Sequence, residues 1–160
     1  MQRASVSDVF KNTIVYERDH LQALLDKTNL SLIEEIVNQL ALVEGKIIIS
    51  GIGKSGMIGK KISATFTSTG TKAVFMHATE ALHGDLGIID QGKDYVILIS
   101  NSGETEEVIG VLNYCRLNKV KTLGISSNSK STLAQYSNLH IDIKVEKESC
   151  INGLAPTTST

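Results

Sequence analysis

Five short runs rich in β-branched and aromatic residues alternate with helix-length segments from residue 46 onward. The first run, KIIIS at 46–50, and the third, YVILIS at 95–100, are apolar at consecutive positions. Strands of a parallel sheet, buried on both faces, have this character, and the intervening segments are long enough for crossover helices. The sequence therefore predicts an α/β fold: a five-stranded parallel sheet between two helical layers, in a three-layer αβα sandwich. The other predicted strands are 73–77, 122–125 and 139–143.

Two helices are predicted before the first strand, as an added layer or a docking arm. Asn29 is expected to end the first of them. Ser31 and Glu34 form a capping box that would start the second, and Gly45 would terminate it. The residues that recur at helical spacing in the first helix are Val9, Phe10, Ile14, Leu21, Leu24 and Leu25.

Composition excludes several classes of function. The formal net charge of −1 gives no reason to expect nucleic acid or an anionic membrane as a partner. Aromatic residues are scarce, with no Trp, four Tyr and three Phe, which argues against the base-stacking surfaces of single-strand binders. The N-terminus shows no signal peptide, and no apolar run reaches the ~18 residues of a membrane span. Cys115 and Cys150 form no CxxC pair and are expected to be free thiols. We therefore expect one cytoplasmic domain over residues 1–160.

A glycine-rich turn, residues 51–59, follows the first strand. Ligands of open α/β sheets bind beyond the carboxyl ends of the strands, so this loop is a candidate site. Gly53 and Gly56 would present backbone N–H groups at a helix start to an anion. Lys54 adds a positive charge and Ser55 adds a hydroxyl donor.

Two nucleotide-binding motifs fit this turn poorly. A Walker A loop requires glycine where this chain has Ile48. Gly51, Gly53 and Gly56 do satisfy GxGxxG, but the second strand ends without the acidic residue that a dinucleotide site uses for the ribose. Dinucleotide binding and a purely structural turn remain lesser alternatives.

A second candidate anion site, residues 100–107, follows the third strand. Ser100, Ser102 and Thr105 could direct three hydroxyl groups at one phosphate, ahead of another helix start. The simpler alternative is that this Ser, Glu and Thr composition only caps the helix. We favour a function for Ser102 and Glu104 because two such loops follow alternate strands of one sheet. A third polar loop, residues 126–129, taken alone is typical of an ordinary turn.

Two further segments contain candidate chemistry. His77, His83 and Asp85 could be imagined as metal ligands, but their spacing matches no trusted zinc pattern, and a polar contact or proton shuttle by His83 is favoured. His20 and His140 are interpreted as scaffold or surface residues. After the fifth strand, Glu148 belongs to a charged segment that composition alone would assign to a solvated loop.

The motifs GKSG, HGDLG, SNSGETEE and VEKESC…GLAPTTST, in this order, resemble the sugar isomerase (SIS) domain. More narrowly, they are similar to the arabinose-5-phosphate isomerase branch, linked to Kdo, lipopolysaccharide and capsule synthesis. The resemblance covers roughly residues 30 to 160. The SNSGET segment alone would indicate only a phosphosugar-binding domain, whereas the four segments together are far more specific.

The resemblance assigns roles to residues of both loops. It implies catalytic positions at Lys54, Glu104 and Glu148, with His83 near the substrate. The residues that would hold the sugar phosphate lie in the two anion loops: Gly53, Ser55, Gly56, Ser100, Asn101, Ser102 and Thr105.

The implied reaction is the interconversion of D-ribulose 5-phosphate and D-arabinose 5-phosphate through an enediol, with no metal and no cofactor. Glu148 could act as base, Lys54 as cation and Glu104 as a second acid–base or hydroxyl-orienting group, with Glu104 and Glu148 interchangeable. A homodimer or homotetramer is implied. The alternative is a non-catalytic regulatory domain that senses a phosphosugar or nucleotide sugar. We expect a full-length form to continue past Thr160 with a further essential histidine and, often, CBS domains.

Overall fold

The computed structural model of the 160-residue chain describes residues 5–145, 148–149 and 157–158. Cys150 lies outside these residues. Within them, two initial helices precede five strands that alternate with further helices. The helices are α1 (Val6–Lys27), α2 (Leu30–Ala41), α3 (Gly53–Ser68), α4 (Ala78–Leu82), α5 (Glu106–Leu117) and α6 (Thr132–Tyr136), with a 3₁₀ turn at Asp85–Ile88. The strands are β1 (Ile47–Gly51), β2 (Ala73–His77), β3 (Tyr95–Ile99), β4 (Lys121–Ser126) and β5 (Leu139–Asp142).

The five strands form one sheet in the order β2-β1-β3-β4-β5, and every pairing is parallel. The predicted fold class is confirmed. The predicted strand 73–77 matches β2 at both ends, and the other four agree to within one residue at each end. Strand prediction succeeded because β1 and β3 are buried along their whole length, which the consecutive apolar positions had indicated.

Alternate residues of each strand supply two cores, one on each face of the sheet. In β1, Ile47 and Ile49 face one core and Ile48 faces the other. The first core contains side chains of α2 and α3, including Ile36 and Phe66. The second core contains side chains of α4, α5 and α6, among them Ala78, Ala81, Val108, Val111, Leu112, Cys115 and Leu133. Burial raises the pKa of the free Cys115 thiol to about 12.

The start of α2 differs from the prediction. Asn29, expected to end α1, is the N-cap of α2, and its side chain accepts a hydrogen bond from the N–H of Leu32. The predicted capping box of Ser31 and Glu34 is therefore wrong, because both residues already lie inside the helix. Asn satisfies an N-terminal N–H as well as Ser does, so the helix starts at the earlier of two competent positions.

The helix α2 also ends earlier than predicted, at Ala41, and Gly45 has another role. A Cβ atom at Gly45 would lie 2.2 Å from Oδ1 of Asp94, so only glycine fits there without a shift. The prediction mistook a requirement of tertiary packing for a helix terminator.

The two N-terminal helices differ in how they pack. Helix α2 contributes to the core beneath β1 and β3, as an added layer would. Helix α1 buries none of its residues, and its apolar side chains are largely exposed, with Phe10 at 68% and Leu21 at 69%. Within the described part of the chain, no helix combines the length and apolarity needed to cross a membrane.

A buried carboxylate joins the amino ends of β1 and β3. Asp94 accepts hydrogen bonds from the backbone N–H groups of Lys46 and Asp90, and from Nζ of Lys46 at 2.6 Å. Burial alone would raise the pKa of Asp94, but these hydrogen bonds outweigh it and hold the pKa below its usual value. The ionised carboxylate therefore stabilises the junction of the two central strands.

We expect Asp94→Ala to lower the free energy of unfolding by about 2–4 kcal/mol, because it leaves three donors without their acceptor. Since the folded-state pKa is depressed, the stabilisation is present above the ordinary pKa of about 4 and is lost as the pH falls through the folded-state value. Urea denaturation at pH 7 and in acid measures both effects. Asp90→Asn is the control, since Asp90 makes an exposed ion pair. An Asp94→Ala effect as large in acid as at pH 7 would contradict the assignment.

Candidate functional site

The strand order places a topological switch point between β1 and β3. From β1 the chain crosses to β2 on one side, and from β3 it crosses to β4 on the other side. A crevice forms at the carboxyl edge where two such crossovers diverge, and ligands of open α/β sheets bind there. The two predicted anion loops are the segments that leave β1 and β3 at this edge.

The glycine-rich turn leads directly from β1 into α3. Gly53 has φ of +56°, a left-handed conformation that favours glycine. A Cβ atom at Gly56 would lie 3.0 Å from the carbonyl oxygen of Gly51, so Gly56 lets the helix start close to the strand end. Lys54 is exposed and Ser55 is half-buried. The N-cap residue Ile52 makes no side-chain capping bond to the first turn of α3.

The segment after β3, residues 100–105, is here called the hydroxyl loop. The structure brings its three predicted hydroxyl groups together: Oγ of Ser100 lies 2.8 Å from Oγ1 of Thr105 and 3.5 Å from Oγ of Ser102. Ser100 is buried, whereas Ser102 and Asn101 are exposed. The loop therefore presents a compact set of hydroxyls beside the start of α5.

The hydroxyl loop does more than cap α5. Thr105 occupies the N-cap position, but its side chain makes no capping bond and is instead hydrogen-bonded to Ser100. Glu106 and Glu107 lie in the first turn of α5, where their charges favour the helix dipole, as expected for helix-end residues. Helix capping thus accounts for the two glutamates, whereas Ser100 and Ser102 bond to backbone N–H groups inside the loop and not to the first turn of α5.

The third polar loop, interpreted from sequence as an ordinary turn, holds the hydroxyl loop in place. The backbone carbonyl of Asn101 accepts hydrogen bonds from the N–H and Oγ of Ser127, at 2.9 and 2.7 Å. The N–H of Leu133 donates to the carbonyl of Gly103 at 3.0 Å. These contacts join residues far apart in sequence through backbone atoms, so no residue pattern could have indicated them.

Gly103 is the tightest point of this junction. Its φ is +70°, and a Cβ atom there would lie 2.1 Å from Oγ of Ser131. Ser131 is itself fixed, since its hydroxyl donates to the carbonyl of Asn128 and accepts from the N–H of Ala134. Glycine at position 103 is therefore required by both conformation and space.

His140 supports the same junction from β5. Its Nε2 lies 2.8 Å from Oγ of Ser126, a hydroxyl that also lies 3.3 Å from Oγ of Ser131. Burial lowers the pKa of His140, although the nearby Asp142 opposes this. The interpretation of His140 as a scaffold residue is confirmed. His20 lies on α1, with its ring against Tyr16.

Glu104 points toward α6. One oxygen of its carboxylate, Oε1, accepts a hydrogen bond of 2.8 Å from the N–H of Thr132, the first residue of that helix. This hydrogen bond lowers the pKa of Glu104. The carboxylate is exposed and remains ionised at neutral pH, so a proton donor at this position is disfavoured.

The remaining candidates lie on other loops. His83 is the exposed C-cap of α4, one turn beyond the end of β2. Glu148 follows β5, and its Oε2 accepts hydrogen bonds from the N–H and Oγ1 of Thr157, at 2.7 and 3.0 Å. Among the described residues, no group of three or more His, Cys, Asp or Glu side chains is placed to hold a metal ion.

Comparison with known proteins identifies the family of the chain. The SIS domain family matches residues 39–160. The chain belongs to the SIS domain family. The solved structures of SIS-domain sugar isomerases that resemble this chain share its five-stranded parallel sheet with flanking helices.

Curated relatives include the probable arabinose 5-phosphate isomerase of Haemophilus influenzae, 48% identical over 125 residues, which cover 78% of this chain and 37% of that protein. The arabinose 5-phosphate isomerase KpsF of Escherichia coli is 39% identical over 150 residues, which cover 94% of this chain and 47% of that protein. The SIS chain therefore spans less than half the length of these relatives.

Among solved structures, an Escherichia coli CFT073 protein in complex with arabinose 5-phosphate superposes with a TM-score of 0.89. It is 36% identical, and the alignment covers 99% of this SIS chain and 84% of that one. The likeness therefore extends over nearly the whole chain.

We expect Gly103→Ala to destabilise the protein by about 1–3 kcal/mol, because it strains the backbone and forces Ser131 to move. Thermal denaturation of the variant measures the loss. Gly87→Ala is the matched control, since a Cβ atom there meets no atom within 4 Å. Equal stabilities of the two variants would contradict the proposed junction.

Proposed function

We propose that this SIS domain belongs to an aldose–ketose isomerase that interconverts D-ribulose 5-phosphate and D-arabinose 5-phosphate. The observation that carries the proposal is the cluster of Ser100, Ser102 and Thr105 hydroxyls at the switch point, beside the glycine turn of α3. The names of the curated relatives and the arabinose 5-phosphate bound to the Escherichia coli CFT073 neighbour support this choice of substrate.

The hydroxyl loop is organised to donate hydrogen bonds. Oγ of Ser100 accepts from the N–H of Gly103 at 3.1 Å, and Oγ of Ser102 accepts from the N–H of Glu104 at 3.2 Å. Both serine hydroxyls thus have an acceptor lone pair in use. The proton of Ser102 can turn to an incoming ligand, and the mutual hydrogen bond of Ser100 and Thr105 uses one of their two protons and leaves the other. A phosphate, which has only acceptor oxygens at neutral pH, matches such a set of donors.

The glycine turn supplies the rest of the anion site in this proposal. Gly53, Ser55 and Gly56 would place N–H and hydroxyl donors at the start of α3, where the helix dipole favours negative charge. Asn101 would add an exposed amide from the hydroxyl loop. With its phosphate held between the two loops, a sugar would extend along the carboxyl edge.

The reaction requires proton transfers at adjacent carbons and oxygens. A base removes the proton from C1 of ribulose 5-phosphate while an acid protonates O2, which gives the enediol. Return of a proton to C2 and loss of the O1 proton then give the aldose, with no redox change. We assign Glu148 as the base and Lys54 as the cation near the developing oxyanion.

His83 and Glu104 complete the proposed site. His83 is exposed on the segment after β2, and β2 pairs with β1, the strand that leads into the glycine turn. An imidazole can transfer protons near neutral pH. The lowered pKa of Glu104 favours a hydroxyl-orienting role over proton donation. Glu104 is the alternative base if Glu148 proves dispensable.

We also propose a metabolic role and a location: the product would feed Kdo synthesis for lipopolysaccharide or capsule in the cytoplasm. A homodimer or homotetramer would cover the apolar side chains that α1 and α2 leave exposed, such as Phe10, Leu21 and Val37.

The direct test incubates the longest native form with ribulose 5-phosphate and detects the aldose by NMR. We expect turnover, and we expect Glu148→Gln to lower kcat at least about a hundredfold, since a general base contributes about 10²–10⁴-fold. Phosphate-ligand affinity should stay within about threefold, because Glu148 does not hold the phosphate. Glu146→Gln is the control and should have little effect.

Tight binding of the pentose phosphate without turnover would overturn the isomerase proposal and favour a sensing domain. Full activity of Glu148→Gln would transfer the role of base to Glu104.

We expect Ser102→Ala to weaken binding of the sugar phosphate at least about tenfold, since a charge-assisted hydrogen bond contributes about 1.5–3 kcal/mol. Folding should change little, because Ser102 is exposed. Calorimetric titration of the 160-residue chain measures the affinity, and Ser129→Ala on the neighbouring exposed loop is the control. Unchanged affinity would remove Ser102 from the site.

A further inference from the structure

Helix α1 makes a specific polar contact although it buries none of its residues. Glu17, in the middle of this helix, is hydrogen-bonded to Ser149 and Thr158, which are 132 and 141 residues away in sequence. Such long-range contacts by a half-buried carboxylate distinguish Glu17 from the solvated charges elsewhere on α1.

Three side chains form this contact, here called the Glu17 clasp: Glu17, Ser149 and Thr158. The same oxygen of Glu17, Oε1, accepts from Oγ of Ser149 and from Oγ1 of Thr158, the latter at 2.8 Å. Oγ1 of Thr158 also accepts the N–H of Ser149 at 3.0 Å. Two separate pieces of the C-terminal segment are thus joined to each other and to α1.

The Glu17 clasp lies directly beside the candidate base. Glu148 precedes Ser149, and Thr157, whose N–H and hydroxyl both donate to Glu148, precedes Thr158. The backbone positions that orient Glu148 are therefore each one residue away from a hydroxyl held by Glu17. Displacement of Ser149 and Thr158 would also displace Glu148 and its partner Thr157.

A shared pocket places α1 near the same location. His20, Leu21 and Leu24 line a pocket together with Ile143 and Val145, the residues between β5 and Glu148. Thr158 lines that pocket as well. The helix thus lies near residues 143–145, which follow the last strand.

We propose that Glu17 is a positioning residue for Glu148, and that α1 serves the active site by holding the segment that carries the base. The assignment rests on the proposed function insofar as Glu148 is the base. It gives the exposed N-terminal helix a role within a single subunit.

The structural test is amide hydrogen exchange of the 160-residue chain by NMR. We expect Glu17→Ala to speed exchange at the N–H groups of Ser149 and Thr157 at least about tenfold, since both are hydrogen-bonded within or beside the clasp. Thr158→Val, which removes the shared hydroxyl at nearly constant volume, should do the same. Asp19→Ala on the same helix, where Asp19 pairs with exposed Arg18, is the matched control.

The kinetic test uses the longest native form. Glu17→Ala should lower kcat at least about tenfold while KM and phosphate affinity stay within about threefold, a split that general destabilisation would not produce. Glu17→Gln should retain most of kcat, because its Oε1 can still accept both hydroxyl protons.

Two results would overturn the proposal: unchanged exchange at both amides in Glu17→Ala, or faster exchange with kcat retained. If the wild type does not isomerise ribulose 5-phosphate, the proposed function fails instead. In that case the exchange rate of the Thr157 amide in Glu17→Ala still tests the structural half of the proposal. Faster exchange than in the wild type supports a role of Glu17 in holding the Glu148 segment, and an unchanged rate contradicts it.

Discussion

The backbone hydrogen bonds between β1 and β3 join two strands that are not consecutive in the chain, and the candidate site depends on this pairing. Because β2 and β4 lie on opposite outer sides, the loops that leave β1 and β3 diverge and open a crevice between them. At the other end of the same strands, Asp94 connects the backbone of Lys46 to the turn before β3. One pairing thus sets the spacing of the two candidate loops, and a buried carboxylate stabilises it.

The hydroxyl loop is held by contacts that its own sequence does not encode. Carbonyl groups of Asn101 and Gly103 accept hydrogen bonds from the loop and helix that follow β4. The side chain of Glu104 accepts a further hydrogen bond from the start of the same helix. Hydroxyl donors aimed at one anion lose less entropy on binding when their backbone is already fixed. In the proposed site, the residues around Ser131 would therefore contribute to ligand binding through rigidity and without contact to the ligand.

Much of the fold could be predicted from sequence because burial dictates residue type. The consecutive apolar positions of β1 and β3 and the β-branched character of the other strands located all five. The hydroxyl cluster was predicted because small hydroxyl residues, a glycine and a helix start follow the end of a strand, a pattern typical of an anion site. Errors arose where two local signals competed, as at Asn29 and Ser31, or where a tertiary clash required glycine, as at Gly45. The contacts of Gly103 and Glu17 join distant segments, so no local pattern could reveal them.

The positions of the candidate catalytic groups follow from the sheet as well. Glu148 comes after the edge strand β5, and β4 separates that strand from β3, so its loop must be directed back across about 10 Å of sheet to approach a sugar held at β3. An edge loop has neighbours on one side only and needs an additional element to hold it. Helix α1 would provide this element through the hydrogen bonds of Glu17 to Ser149 and Thr158, so a helix with no buried residue can matter to the proposed site. The exposed apolar side chains of Phe10 and Leu21 lie seven residues before and four residues after Glu17, so they share one face of α1 with it.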